Sequence, residues 1–435
     1  MVEIPASLAA PAGADRARLV VPRLPGRAHL RTLPNGLTVC LLESRQAPLV
    51  TTALWYRAGT RDEPPGQGGI AHFLEHMMFK GSAAYGPGEV DRRTQALGGS
   101  NNAFTSHDAT AYHFSFAADR WHEALLIEAD RMRGLRLDPA EVTSERQVIV
   151  EEIGMYRDDP WDALELEVLG RLFGGHPYGL PVLGTPEELQ GIGAVELGAF
   201  HAGYYRPDNA VLVVGGDVDE RAFAAVEEAF AAIPAGSAAR REQIRAVPPP
   251  GCVRLERRQG EVARLLLAFL APPAPHPDHP ALRLLVAALA GGRAARLHRR
   301  LVDERQLCLA VSTDLHDTQA PGALLVGLEL LPGVEPQIAE QALLAELEEV
   351  RRGPLPEEEL ERARQILVAD WVFGHERVHQ QALTAGFALA LFDLGHPVRQ
   401  LERMAACDAA RVREVAARYL DPARGAVLGW SLQEE

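Results

Sequence analysis

The chain has little that would tie it to nucleic acid, to a membrane interior or to an oxidising compartment. Its 435 residues carry 44 Lys and Arg against 59 Asp and Glu, a formal net charge of -15, and no basic tract is available to neutralise a phosphate backbone. That acidity would suit cationic peptides, though solubility explains it equally well. There are only 4 cysteines, Cys40, Cys252, Cys308 and Cys407. They lie too far apart for metal or redox spacing and are expected to be buried free thiols in a reducing compartment. No apolar run approaches the roughly 18 residues of a membrane span. The first 30 residues lack an apolar core of signal-peptide length, so a cytoplasmic location is expected, or a periplasmic one if a signal has been removed.

What is present is a globular composition, 47% hydrophobic, in a chain long enough for two cores of ordinary domain size. The chemistry concentrates in Gly68 to Ser82, GGIAHFLEHMMFKGS, which reads as an amphipathic helix. His72 and His76 stand one turn apart, with Glu75 just before the second. At about 100° per residue His76 lies about 40° round from His72, and Glu75 about 60° round the other way, so all three share one face. Two imidazoles so placed can bind one zinc ion, and a carboxylate beside them can take a proton from a water at the metal. The order is HxxEH, the inverse of HExxH, and it occurs among zinc peptidases as the inverzincin motif. Alone it is weak evidence in a chain with 15 histidines. His375, Glu376 and His379 spell the ordinary HExxH in WVFGHERVHQ, and they are read as a solvated or half-buried helix face.

Before that helix, residues 29 to 44 read as a hairpin turning at Pro34, Asn35 and Gly36, followed by a third strand from Leu49 to Arg57. After it come a helix over residues 87 to 98 and then SNNAFTSHDATAYHFSFAA, whose alternation suggests two paired strands. The first strand, beside the histidines, is either an edge that accepts an extended peptide or part of an ordinary core hairpin. Helices are expected over Trp121 to Leu135 and Pro139 to Tyr156. On the latter, Glu145 and Glu152 lie within about 20° of each other while Glu151 points about 100° away, so either of that pair is the better candidate to complete a metal site.

Thr185 and Pro186 read as the cap and first turn of a further helix. The residues 234 to 250 have linker composition, separating a leader (1–25) and an N-terminal domain (26–233) from a C-terminal domain (251–435). The second half begins again with strands, a single helix from His279 to Glu304, two more strands and a helical remainder. That order suggests an internal duplication whose second copy has lost the metal ligands.

GGIAHFLEHMMFKGS, LGGSNNAFTSHDATAYHF, SERQVIVEEIGMYRDDP and YYRPDNAVLVVGGDVD together resemble the landmark segments of the pitrilysin and insulinase family of zinc metallopeptidases, in its shorter processing-peptidase-like branch. The resemblance covers nearly the whole chain and points to a bacterial source. It implies an α+β fold of two similar domains, each a mainly antiparallel sheet backed by helices, as in the mitochondrial-processing-peptidase-like metallohydrolases. Four such domains would enclose a peptide chamber. It implies His72, His76 and Glu152 as ligands of Zn2+, Glu75 as general base, Glu145 as the supporting acid, and Asn102, Ala103, Phe104 and Thr105 as the strand that pairs with a peptide substrate. In the same resemblance HERVH is an ordinary helix.

One departure stands out. Active single-chain and homodimeric members of that family carry an arginine and a tyrosine seven residues apart in the second half. Aligning on Arg296, Leu297 and Leu301 puts Val302 and Leu309 there. Neither can donate a hydrogen bond to a developing negative charge. The resemblance therefore implies the zinc-bearing subunit of a heterodimer, with a homologous partner keeping the Arg/Tyr pair, or a non-catalytic scaffold subunit.

Overall fold

The computed structural model describes residues 27–236, 247 and 251–434; the leader and most of the 234–250 linker lie outside them. Two sheets organise the chain. In the first, β1 (Arg27–Thr32) and β2 (Thr38–Glu43) form the expected hairpin, and β3 (Leu49–Tyr56), β4 (Ser100–Thr105), β5 (Thr110–Ala117) and β6 (Ala210–Gly216) complete six strands in the order β1-β2-β6-β3-β5-β4. The hairpin turn is fixed by Asn35, whose Nδ2 donates to the carbonyls of Phe230 and Ile233 at 2.9 and 3.1 Å. Only β2 and β6 run parallel. Val211, Leu212, Val213 and Val214 of β6 are fully buried, as expected for a continuous apolar run covered on both faces.

The second sheet contains β7 (Cys252–Arg258), β8 (Arg264–Ala271), β9 (Cys308–Leu315), β10 (Gly322–Leu330) and β11 (Ala426–Leu432), in the order β7-β11-β8-β10-β9. Mapping β2, β3, β4, β5 and β6 onto β7, β8, β9, β10 and β11 reproduces the order of the first sheet, with its one parallel pair at β7 and β11. The α+β duplication is thus written in strand order. β11 corrects the expectation of a wholly helical remainder, because its partners lie far back in the sequence.

Contacts divide the described chain into two compact units. The first takes the residues before Val150, 182–236 and Val372–Arg399; the second takes Val150–Pro181, the residues up to Trp371 and those from Gln400. Each unit borrows a helix from the other half of the sequence. In the first, the helix Val378–Leu391 lays Ala382, Ala385 and Leu391 over Ala53, Trp55, Ala111 and Val213. It can lie so close because Gly386 faces Trp55, whose indole a Cβ would strike. In the second, the helix Pro160–Phe173 lays Leu164, Val168 and Leu172 over Leu266, Ala268, Leu325 and Val427.

Two expected helices are interrupted. The one beginning at His279 ends at Ala290 before Gly291 and Gly292, and the chain resumes as a π-helical turn, His298–Glu304. The helix Glu357–Gly374 stops at its glycine, so His375 and Glu376 sit in a turn while His379 belongs to the next helix. All four cysteines are free, but Cys252 is exposed, and only Cys40 and Cys308 are buried as expected. No helix among the described residues is long and apolar enough to cross a membrane.

Candidate metal centre

The histidine pair stands on α1 (Ile70–Met77), whose apolar residues Ile70, Ala71, Phe73, Leu74 and Met77 are fully buried. The helix start is defined by backbone. Gly69 adopts φ 89°, in the left-handed region, and a Cβ there would collide with the Leu183 carbonyl. The amides of Gly69 and Ala71 donate to the two carboxylate oxygens of Glu63, each at 3.0 Å. A half-buried acid thereby meets the positive end of the helix, although desolvation pushes its carboxyl up to about 8.

His72 and His76 lie with ring centroids 4.6 Å apart. α2 (Glu89–Ala96) and α3 (His122–Gly134) precede α4 (Pro139–Asp158), a continuous helix that carries both acids singled out above. Glu145 faces His76: its Oε1 accepts from His76 Nδ1 at 2.8 Å and its Oε2 pairs with Lys80 Nζ at 2.6 Å. Burial pushes the Glu145 carboxyl up, but the hydrogen bonds and charges of His76 and Lys80 outweigh it and hold the group below the usual carboxylate range. Two turns on, Glu152 joins the histidines. One ligand atom from each of His72, His76 and Glu152 lies within 4.8 Å of the others.

That donor set fits zinc: two imidazoles and a carboxylate make three protein ligands, the number a catalytic zinc takes while keeping one position open. Burial, then the charge of His76, hold His72 neutral down to about 3, the form in which imidazole binds a metal. Glu145 on His76 Nδ1 leaves the other ring nitrogen to the metal, the usual carboxylate–histidine arrangement.

Glu75 points instead toward β4. Its Oε2 accepts from Thr105 Oγ1 at 2.6 Å, and with His76, Phe79, Lys80, Gly88, Asp91, Asn102, Ala103 and Glu145 it lines a cavity beside the histidines. β4 is an edge strand that pairs with β5 as a hairpin. Of its four singled-out residues, Asn102 and Ala103 line that cavity, Phe104 packs edge-on against Trp55 at 5.3 Å, and Thr105 holds Glu75. Asn102 Oδ1 accepts from the amide of Ala103 at 2.9 Å.

Among the described residues, the HExxH decoy assembles no metal group. Its break at Gly374 corrects the helix reading: His375 meets Thr384 Oγ1 at 3.1 Å, and His379 lies against His113 at 4.5 Å between ring centroids. In the second unit, Leu309 is half exposed on β9, the edge strand equivalent to β4, and Val302 lies in the π-helical turn. The nearby Arg299 and Arg305 are engaged with Glu359 and Glu346 at 2.8 and 3.3 Å. Sequence reasoning missed Lys80 and Glu63. Lys80 had a signal, standing four residues after His76; Glu63 sits in a turn-rich loop that gave none.

Two sheets of one strand order, with a His, His, Glu cluster on the helices α1 and α4, are matched by known peptidases. The family model described as Insulinase (Peptidase family M16) matches residues 38–186, and that described as Peptidase M16 inactive domain matches residues 192–367. An uncharacterized zinc protease of Mycobacterium leprae is 34% identical over 306 residues, 69% of each chain, and one of Mycobacterium tuberculosis is 30% identical over 404 residues, 90% of each. The crystal structure of a protease from Helicobacter pylori shares the fold with a TM-score of 0.89 at 24% identity, covering 94% of this chain and 99% of that one. The chain belongs to the insulinase family of peptidases.

Proposed function

We propose that this chain is a zinc-dependent endopeptidase that hydrolyses peptides or unfolded polypeptide segments in a closed chamber, as the catalytic subunit of a heterodimer. The observation that carries the reading is the convergence of His72, His76 and Glu152 with Glu145 on His76 Nδ1. A zinc ion held by His72, His76 and Glu152 would supply a Lewis acid and lower the pKa of water at the site. Glu75 accepts the proton of the attacking water and returns it to the leaving amine. Glu145 and Lys80 keep the His76 ring in one tautomer and orientation. The open edge of β4 takes the substrate as an added strand, with main-chain hydrogen bonds aligning the scissile bond.

The heterodimer reading is supported by Val302 and Leu309, aliphatic where an oxyanion needs donors. A homologous partner would supply the arginine and tyrosine. The same two residues favour a second reading, a non-catalytic scaffold subunit, but a scaffold has no physical use for an intact base and donor set.

The test is cleavage of a quenched fluorescent peptide of about 10 residues, a length suited to strand addition, by the chain alone and with a homologous sister chain. Activity that appears only in the mixture and disappears with chelator or with Glu75→Gln supports the proposal. Full activity of the chain alone places the oxyanion donor elsewhere, and no activity in either arrangement supports the scaffold.

A further inference from the structure

We infer that Thr105 is a positioning residue that holds the Glu75 carboxylate through its hydroxyl, a role distinct from contact with the peptide. The inference rests on the reading of Glu75 as base. Thr105 ends β4 directly opposite Thr110 of β5, and their hydroxyl oxygens lie 3.4 Å apart. Each hydroxyl has one proton to give. Thr110, fully buried, gives its proton to the Ala58 carbonyl at 3.0 Å. An ionised Glu75 only accepts, so the 2.6 Å contact with Glu75 Oε2 takes the proton of Thr105. Both protons thus leave the threonine pair outward, one to Glu75 and one to Ala58, and the two hydroxyl oxygens share none.

The mount is rigid for reasons visible around it. Thr105 is β-branched and stiff at χ1. The turn that follows is closed by the Ser106 amide on the Ala109 carbonyl at 2.8 Å, and the amides of Thr60 and Arg61 reach the carbonyls of Ser106 and His107 at 3.2 and 3.1 Å. Arg61 and Asp108, both buried, pair at 2.9 Å. A glutamate has three side-chain torsions to lose, and a charge-assisted bond to a fixed hydroxyl removes that freedom before substrate arrives. One strand then serves twice: its edge receives the peptide and its last side chain aims the base. The two reacting partners are registered against the same backbone.

The experiment compares Thr105→Val, which keeps shape and loses the hydroxyl, with Thr105→Ser, which keeps the hydroxyl, in the full chain with its sister subunit. The expected result is a fall in kcat of about 10- to 100-fold for Thr105→Val with KM nearly unchanged, and substantial recovery in Thr105→Ser. Zinc affinity and thermal midpoint stay as in the parent. Crystal structures give a readout free of turnover: Glu75 in one rotamer in the parent and in Thr105→Ser, and in several in Thr105→Val. A single unchanged rotamer in Thr105→Val, or a rise in KM at constant kcat, overturns the inference. Glu75→Gln run in parallel separates the failures. If it remains active, the base assignment falls and this inference with it; if it is inactive while Thr105→Val is fully active, only the positioning role falls.

Discussion

Lys80 and Glu145 form an ion pair of 2.6 Å on the carboxylate oxygen that His76 does not use. The acid therefore has a donor at each end and cannot turn away from the imidazole. Glu145→Ala removes this partner from both Lys80 and His76. The expected outcome is a loss of about 10- to 100-fold in zinc affinity, read by competition with a fluorescent chelator, with the fold retained. Unchanged affinity would mean that the ring is held by its neighbours alone.

A second prediction concerns the core beneath the centre. Arg131 and Glu128 pair at 2.6 Å with side chains only 1% exposed, and the guanidinium lies 4.4 Å from the ring of Tyr112. Glu128→Gln strands a buried cation and is expected to cost about 3–5 kcal/mol of stability. Replacing both, Glu128→Leu with Arg131→Met, is expected to cost less than the single change, because no buried charge remains. Urea unfolding of the two variants decides between them.

Part of the pH dependence of stability follows from His201, whose Nε2 lies 3.1 Å from the Arg131 carbonyl oxygen. Burial lowers its pKa to about 4, against a smaller raising effect of that backbone contact. The unfolded chain titrates near its ordinary value of about 6.5, so between the two values the unfolded state holds the extra proton and stability falls as pH falls. Between pH 7 and pH 5 this residue is expected to remove about 2 kcal/mol. Comparing urea midpoints of the parent and His201→Gln at both pH values isolates it: the drop should be smaller in the variant.

Gly69→Ala tests the entry to the metal helix. Its φ of 89° and the Leu183 carbonyl at the Cβ position both oppose a side chain. A loss of about 2 kcal/mol or more is expected, with zinc affinity falling alongside. A variant as stable as the parent would show that the loop at Leu183 yields.

Much of this was legible because it is local. A 3.6-residue period places His72, Glu75 and His76 on one face whatever lies opposite, and Thr185 does cap its helix by accepting from the Glu188 amide at 3.2 Å. The breaks at Gly291 and Gly374 had a local signal too, since glycine closes helices. The hydrogen bond from Thr105 to Glu75 had none. It joins residues 30 apart, and a strand pattern says only that Thr105 lies in a sheet. β11 was hidden for a related reason: Ala426–Leu432 pairs with Cys252–Arg258, and nothing in its seven residues names that partner.

The borrowed helices have a consequence for any attempt to divide the gene. The segment matched by the Insulinase family description, residues 38–186, carries the His72, His76 and Glu152 cluster but lacks Val378–Leu391, the cover over Ala53, Trp55 and Ala111. Produced without its last 60 or so residues, the chain would keep its ligands but lose both that cover and β11, the strand between β7 and β8, leaving apolar sheet surface open to water, a template for aggregation.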